Sequence, residues 1–212
     1  MKLSNFLLPL LPALSVAQTP SLYTDAKSGI TFNTFINPAN GFFFGLALPA
    51  NGTGNTDFIA TIGAKGTGWS GVSLGGGMLN KLLIAAWPNA QALVSSFRKT
   101  AQYGSPAVAT GTFTQTPIAN GTYVNSTHWT YTFLCSKCIL ADGTTFKTAD
   151  TSASFGWAFN TAAPSSKANA ASTVTKHTDE GQVKFDLALA KQANFTMWKT
   201  WAVPKVASKF MA

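Results

Sequence analysis

Few side chains in this sequence could bind a metal or a cofactor. The chain has two histidines, His128 and His177, and two cysteines, Cys135 and Cys138. Covalent haem attachment needs a C-x-x-C-H motif, and Ile139 stands where that histidine would be. A zinc site could use all four side chains, but the spacing is not that of a zinc finger. An oxidising compartment favours a disulfide between the cysteines instead.

Acid–base and nucleophilic catalysis have weak candidates. Asp179 and Glu180 are the only adjacent pair among seven acids. Neighbours in a strand point to opposite faces, so we expect a solvated turn here rather than the paired carboxylates of a glycosidase. Ser73 is the centre of a G-x-S-x-G pattern, and an acid and His177 follow in the order of a hydrolase triad. Two further glycines follow the pattern, and strand–helix alternation is missing, so a nucleophile elbow is not expected.

Met78 and His177 are candidate axial ligands for a noncovalently bound haem. Met78 follows three glycines, at 75–77, which would let a flat macrocycle approach the backbone closely. His177 lies in a separate polar segment, and methionine with histidine is an established ligand pair for haem iron. By spacing alone, a core methionine and a surface histidine remain the commoner interpretation.

The elements that must position these residues have the pattern of β-strands almost throughout. Aromatic and β-branched residues alternate with polar or small ones, as in half-buried strands, at 129–134, 155–160 and 183–187. More continuous apolar runs, typical of central strands, lie at 41–48, 58–62 and 82–87. Turn signals separate these segments, which predicts a β-sandwich. We also expect one short helix near 186–193 and a loop over 164–175.

The N-terminus predicts secretion. Residues 1–17 combine a positive start, an apolar stretch and small residues before the cleavage point, as in a signal peptide. This stretch is too short to anchor the chain, and no other segment is long enough to span a bilayer. We expect one domain over 18–203 and a C-terminal tail over 204–212. Candidate glycosylation sites are Asn51, Asn120, Asn125 and Asn194.

The charge balance excludes some partners. The formal net charge is +8, but the lysines are scattered and no basic run is interleaved with aromatic residues. Together with secretion, this argues against nucleic-acid binding. A positive surface can steer acidic partners toward the protein. We expect a monomer.

Seven separated stretches together resemble one known family. They lie at 69–78, 82–87, 94–98, 125–129, 135–138, 156–159 and 177–179. In order and approximate spacing they resemble the cytochrome domain of cellobiose dehydrogenases. This is the haem-binding, DOMON-type family that is also classed as fungal iron reductase domains.

The resemblance implies a fold and a set of site residues. The fold would be an immunoglobulin-like antiparallel β-sandwich with one b-type haem at its surface. Met78 and His177 would be the axial ligands of the haem iron. Tyr103 would bond a propionate, and Trp87 would pack beside the haem. The C-x-x-C pair would form a disulfide.

The resemblance also implies single-electron transfer rather than conversion of a substrate. Two protein ligands leave no open position on iron for a substrate. We expect electrons to come from a flavin dehydrogenase or a small reductant, and to pass to a lytic polysaccharide monooxygenase or ferric iron. Since no flavin domain follows in this sequence, the donor would be another molecule. The alternatives are a haem-free carbohydrate-binding β-sandwich module and, less favoured, a hydrolase built on Ser73.

Overall fold

The strands of the protein form two sheets that pack face to face. The computed structural model describes residues 19–204, so the predicted signal peptide and all of the predicted tail except Pro204 lie outside it. In chain order the strands are β1 (Ser21–Thr24), β2 (Thr31–Ile36), β3 (Phe43–Pro49), β4 (Phe58–Lys65), β5 (Trp69–Ser73), β6 (Leu83–Asn89), β7 (Ala92–Lys99), β8 (Ala107–Val108), β9 (Thr114–Pro117), β10 (Tyr123–Val124), β11 (His128–Ser136), β12 (Ser152–Asn160), β13 (Asp179–Asp186) and β14 (Lys191–Gln192).

The pairing of the strands confirms the predicted antiparallel β-sandwich. The first sheet has the order β1-β2-β3-β4-β11-β10, with β9 also paired to β11 and β14 to β3. The second has the order β13-β12-β5-β6-β7-β8. Every pair is antiparallel except β14 with β3. The three alternating segments lie within β11, β12 and β13, and the three continuous apolar runs within β3, β4 and β6, to within one or two residues at their ends.

Helix is scarce: one 3₁₀ turn covers Ala119–Gly121, and the two α-helices fall near the C-terminal end of the described chain. The helix expected near 186–193 is shorter than predicted, since α1 covers only Leu187–Ala190. The Asp186 carboxylate caps it by accepting a hydrogen bond from the N–H of Ala188. The helix ends at Ala190 because the next two residues pair with the edge of β3. A second short helix, α2 (Phe195–Lys199), was not predicted. Within residues 19–204, no helix is long and apolar enough to cross a membrane.

Aromatic side chains fill the space between the sheets. The rings of Phe44, Phe155 and Phe185 lie 5.0 to 5.7 Å apart, centre to centre. Trp157 of the second sheet stacks on Phe42, which precedes β3, at 5.2 Å. Tilted and offset aromatic pairs at these distances stabilise a core beyond the area they bury.

The outer face of the first sheet is also covered, by the C-terminal segment. Phe195 and Trp198 of α2 are buried in one cluster with Phe32, Ala47 and Ile59, which point outward from this sheet. The central strands β3 and β4 therefore have both faces buried. This explains why their sequences are continuously apolar instead of alternating.

The two cysteines form the predicted disulfide at the end of β11. The bridge closes a short loop whose backbone N–H groups at Cys138 and Ile139 donate to the carbonyl of Thr56. The cysteines are thus unavailable as zinc ligands. In the part of the chain that the structure describes, no three His, Cys, Asp or Glu side chains are grouped as a metal site.

One glycine of β12 controls how closely the loop after β5 can approach the second sheet. A Cβ added at Gly156 would overlap the carbonyl oxygen of Gly76. We expect Gly156→Ala to lower the free energy of unfolding by about 1–3 kcal/mol, because the loop must move. Urea denaturation measures this loss.

Gly77→Ala is the matched control, since a Cβ there would meet no heavy atom within 4 Å. Its effect should stay within about 0.5 kcal/mol. Equal stability losses in the two variants would contradict the proposed close approach.

Candidate functional site

A pocket opens on the outer face of the second sheet. This face is on the other side of the sandwich from the face of the first sheet that α2 covers. The pocket has a volume of about 940 Å³, within the range of cofactor and ligand sites. Strands β5, β6 and β12 form its floor, and its walls are the segments 76–78, 103–106 and 174–177. Segments distant in sequence therefore meet at one site.

The floor is built by the register of the strands. One cross-strand row consists of Gln182, Gly156, Ser73, Leu83 and Arg98. The next consists of Glu180, Ala158, Gly71, Ala85 and Ser96. Residues directly opposite each other share a face of the sheet, and all of these except Ser96 line the pocket. Small residues at the centre of both rows leave a shallow floor suited to a flat ligand.

The three glycines before Met78 serve different purposes, contrary to the expectation that all make room for a ligand. A Cβ at Gly75 would lie 2.6 Å from the Lys81 side chain and 2.9 Å from the Thr144 carbonyl. Gly76 has a φ of +88°, which favours glycine. Only Gly77 borders open space. Two of the glycines therefore shape the loop, and one leaves its pocket side open.

Met78 and His177 line this same pocket, although they are far apart in sequence. Met78 is half-buried in the loop between β5 and β6, and His177 lies two residues before β13. The Nε2 atom of His177 is 2.9 Å from a carboxylate oxygen of Glu180. The fold thus brings a thioether sulphur and an imidazole to one cavity, with an acidic partner for the imidazole.

The other two predicted site residues have different places. Tyr103 lines the pocket at its rim and is 81% exposed. Trp87 is fully buried and is not among the lining residues. It belongs to a cluster with Trp69 and Val174, which do line the pocket, and its Nε1 donates to the Lys167 carbonyl at 2.8 Å. Trp87 therefore lies behind Trp69 and Val174 of the pocket wall.

The wall that leads to His177 is held by side chains whose role the sequence did not reveal. Arg98 donates to the carbonyls of Ala170 and Ser172, at 2.6 and 2.8 Å. The Ser105 hydroxyl accepts a hydrogen bond from the Val174 N–H at 3.1 Å. In the sequence, Arg98 stands out only as the last residue of the stretch at 94–98. Its burial depends on a loop more than 70 residues later, so no local signal marks it.

The catalytic alternatives are not assembled. Ser73 ends a strand of an antiparallel sheet, and its Oγ donates to the Gly77 carbonyl at 2.6 Å instead of contacting a histidine. Asp179 and Glu180 both lie in β13, not in a turn. Asp179 accepts hydrogen bonds from Asn37 and Asn40, whereas Glu180 contacts His177. Neither a nucleophile elbow nor a facing pair of carboxylates results.

Comparison with known proteins places this architecture in one family. The family model described as the cytochrome domain of cellobiose dehydrogenase matches residues 23–197. A pyrroloquinoline quinone-dependent pyranose dehydrogenase of Coprinopsis cinerea is 30% identical over 187 residues, which are 85% of this chain and 26% of that protein. The chain thus spans about a quarter of the length of the curated relative it matches.

Two solved structures share the fold over nearly their whole length. The cytochrome domain of Myriococcum thermophilum cellobiose dehydrogenase superposes with a TM-score of 0.75 at 30% identity, covering 89% of this chain and 98% of that one. The crystal structure of the cytochrome b domain of pyranose dehydrogenase from Coprinopsis cinerea has a TM-score of 0.78 at 24% identity, covering 88% and 98%. The chain therefore belongs to the family of cellobiose dehydrogenase cytochrome domains.

Proposed function

We propose that this domain binds one b-type haem in the pocket of the second sheet and carries single electrons, with Met78 and His177 as the axial ligands. The observation that carries the proposal is that both side chains line one pocket in a chain of this family. When bound, the haem would supply a one-electron couple. The domain would act as an electron carrier and not convert a substrate itself.

The residues present fit such a group. The pocket is large enough for a drug-sized or cofactor-sized ligand, and the small residues of its floor suit a flat one. Within residues 19–204, the other methionine, Met197, lies on α2 and the other histidine, His128, lies in β11 of the first sheet. Neither of them lines this pocket. The described chain therefore offers this site one thioether and one imidazole.

The contact between His177 and Glu180 supports the role of His177. A histidine that binds a metal through one ring nitrogen commonly donates the N–H of the other to a carboxylate or carbonyl. Glu180 supplies a carboxylate oxygen 2.9 Å from Nε2, so in the described side-chain position Nδ1 is the ring nitrogen left for the iron. Such a partner orients the imidazole and raises its basicity as a ligand.

The remaining site residues fit two roles. Tyr103, exposed on the rim, is placed where a propionate would leave the pocket, and we propose that its hydroxyl bonds this group. Trp87 would act indirectly, through the wall that it supports. If Met78 and His177 both bind the iron, no position would be open there to a substrate or dioxygen.

The partners would be redox proteins or small mediators outside the cell. The quinone-dependent relative widens the class of donors from flavin dehydrogenases to sugar dehydrogenases with other cofactors. Acceptors would be lytic polysaccharide monooxygenases or ferric iron. Residues 1–17 would direct secretion. All four candidate asparagines, Asn51, Asn120, Asn125 and Asn194, are exposed, as glycosylation requires.

Absorption spectra of the purified protein, oxidised and then reduced, test the cofactor and its ligands. We expect a Soret band, with sharp α and β bands on reduction, as for six-coordinate iron. Met78→Ala or His177→Ala should abolish this spectrum, because each removes one axial ligand.

Met197→Ala and His128→Ala are the matched controls, and both should keep the spectrum of the wild type. An unchanged spectrum in Met78→Ala or His177→Ala would overturn the ligand assignment. A wild-type protein that stays colourless after haem is offered would remove the electron-transfer proposal. Affinity for oligosaccharides would then support the carbohydrate-binding alternative.

Stopped-flow oxidation of the reduced domain tests electron transfer directly. The formal net charge of +8 should attract an anionic acceptor such as ferricyanide. We expect a fast single-electron reaction whose rate constant falls roughly tenfold between low and high ionic strength. A cationic cobalt(III) complex is the control, and its rate should rise with salt. If the rate constant does not change with ionic strength for either acceptor, the net charge has no effect where the electron leaves the protein.

A further inference from the structure

Arg98 is a buried cation that has no carboxylate partner. Its side chain is 2% exposed, and it lines the pocket at the end of one cross-strand row. All seven acids of the chain lie within residues 19–204. The ion pairs formed there are His177 with Glu180 and Lys199 with Asp57, so none of the acids pairs with Arg98.

Neutral groups satisfy the guanidinium without cancelling its charge. Its Nε donates to the Ser96 hydroxyl at 2.7 Å, and its Nη1 to the Pro106 carbonyl at 2.9 Å. Its Nη2 donates to the carbonyls of Ala170 and Ser172. Four of the five N–H groups of the guanidinium are thereby used. The three carbonyls belong to two segments, 103–106 and 164–175, that build or support the pocket wall.

An unpaired charge that is buried at the edge of a pocket acts on its surroundings more strongly than a charge on the surface. Burial is costly for an ion, and it also removes the water and salt that would screen the ion. Burial lowers the pKa of the Arg98 guanidinium from its usual value. An arginine nevertheless stays protonated at neutral pH. The pocket therefore has a permanent positive charge at its edge.

We propose that Arg98 is a positioning residue that raises the reduction potential of the haem site through its buried charge, which no carboxylate of the described protein compensates, while its hydrogen bonds hold the pocket wall. The inference rests on the proposed function. One electron enters on reduction and no bond is formed or broken, so the charge of the site falls by one. A fixed positive charge favours the state with the lower positive charge, which is the reduced one.

Midpoint potentials of Arg98→Gln, Arg98→Lys and Lys99→Gln, each measured at low and high ionic strength, test the proposal. Lys99 is the matched control, because it is the neighbouring cation on the same strand and is exposed. Arg98→Gln should lower the equilibrium constant for reduction about tenfold, which is about 59 mV for one electron. This shift should persist at high salt, since a buried charge is screened less than an exposed one.

The two other variants should leave the potential nearly unchanged. We expect Lys99→Gln to change the equilibrium constant for reduction less than about threefold, and this effect should vanish with added salt. Arg98→Lys keeps the charge but loses part of the hydrogen-bonded fork, so its melting temperature should fall while its potential stays close to that of the wild type.

Three results would overturn the electrostatic role. The first is an unchanged midpoint potential in a folded Arg98→Gln variant. The second is a midpoint potential that falls as far in Arg98→Lys as in Arg98→Gln, and the third is one that falls as far in Lys99→Gln as in Arg98→Gln. If Arg98→Gln does not fold, Arg98→Lys still tests the proposal. A tenfold lower equilibrium constant for reduction in Arg98→Lys, which keeps the charge, would contradict it. Failure of the proposed function is distinguishable, since the wild type itself would then lack the haem spectrum.

Discussion

The antiparallel register of the second sheet is the constraint on which the site depends. It sets Gly156 opposite Ser73 and Ala158 opposite Gly71 on one outward face. Larger side chains at these points would fill the space that the pocket occupies, and a shift of one residue would turn the whole set inward. The same register brings Arg98 and Glu180 to opposite ends of the two rows. The floor and its charged edges thus follow from one pairing pattern.

The wall of the pocket depends on a second kind of interaction, which is hydrogen bonding from strand side chains to loop carbonyls. The segment 164–175 contains few apolar residues, and Val174 is the one that is buried in the cluster with Trp69 and Trp87. Trp87 and Arg98 donate to the backbone of the segment at Lys167, Ala170 and Ser172. Because His177 lies two residues after this segment, we expect the position of the imidazole to depend on these bonds as well as on its contact with Glu180.

The two outer faces of the sandwich are used differently. On the first sheet, Phe195 and Trp198 cover the apolar residues that point outward, and this face contributes to the core. On the second sheet, no helix of the described chain covers the corresponding face, and small residues with loop walls leave a cavity there. The covered face and the pocket therefore lie on opposite sides of one fold. A rigid aromatic core between the sheets connects them.

The sequence by itself determined the β-sandwich, because the alternation in β11, β12 and β13 is a local, countable feature. It offered Met78 and His177 as candidates, and their assignment as a ligand pair came from the family resemblance of the separated stretches. It did not reveal why β3 and β4 are apolar on both faces, since α2 covers them from the far end of the chain. It also did not reveal that Trp87 and Arg98 donate hydrogen bonds to the segment 164–175. Both depend on where the segment 164–175 folds back, and only tertiary structure decides which strand side chains a distant loop will cover.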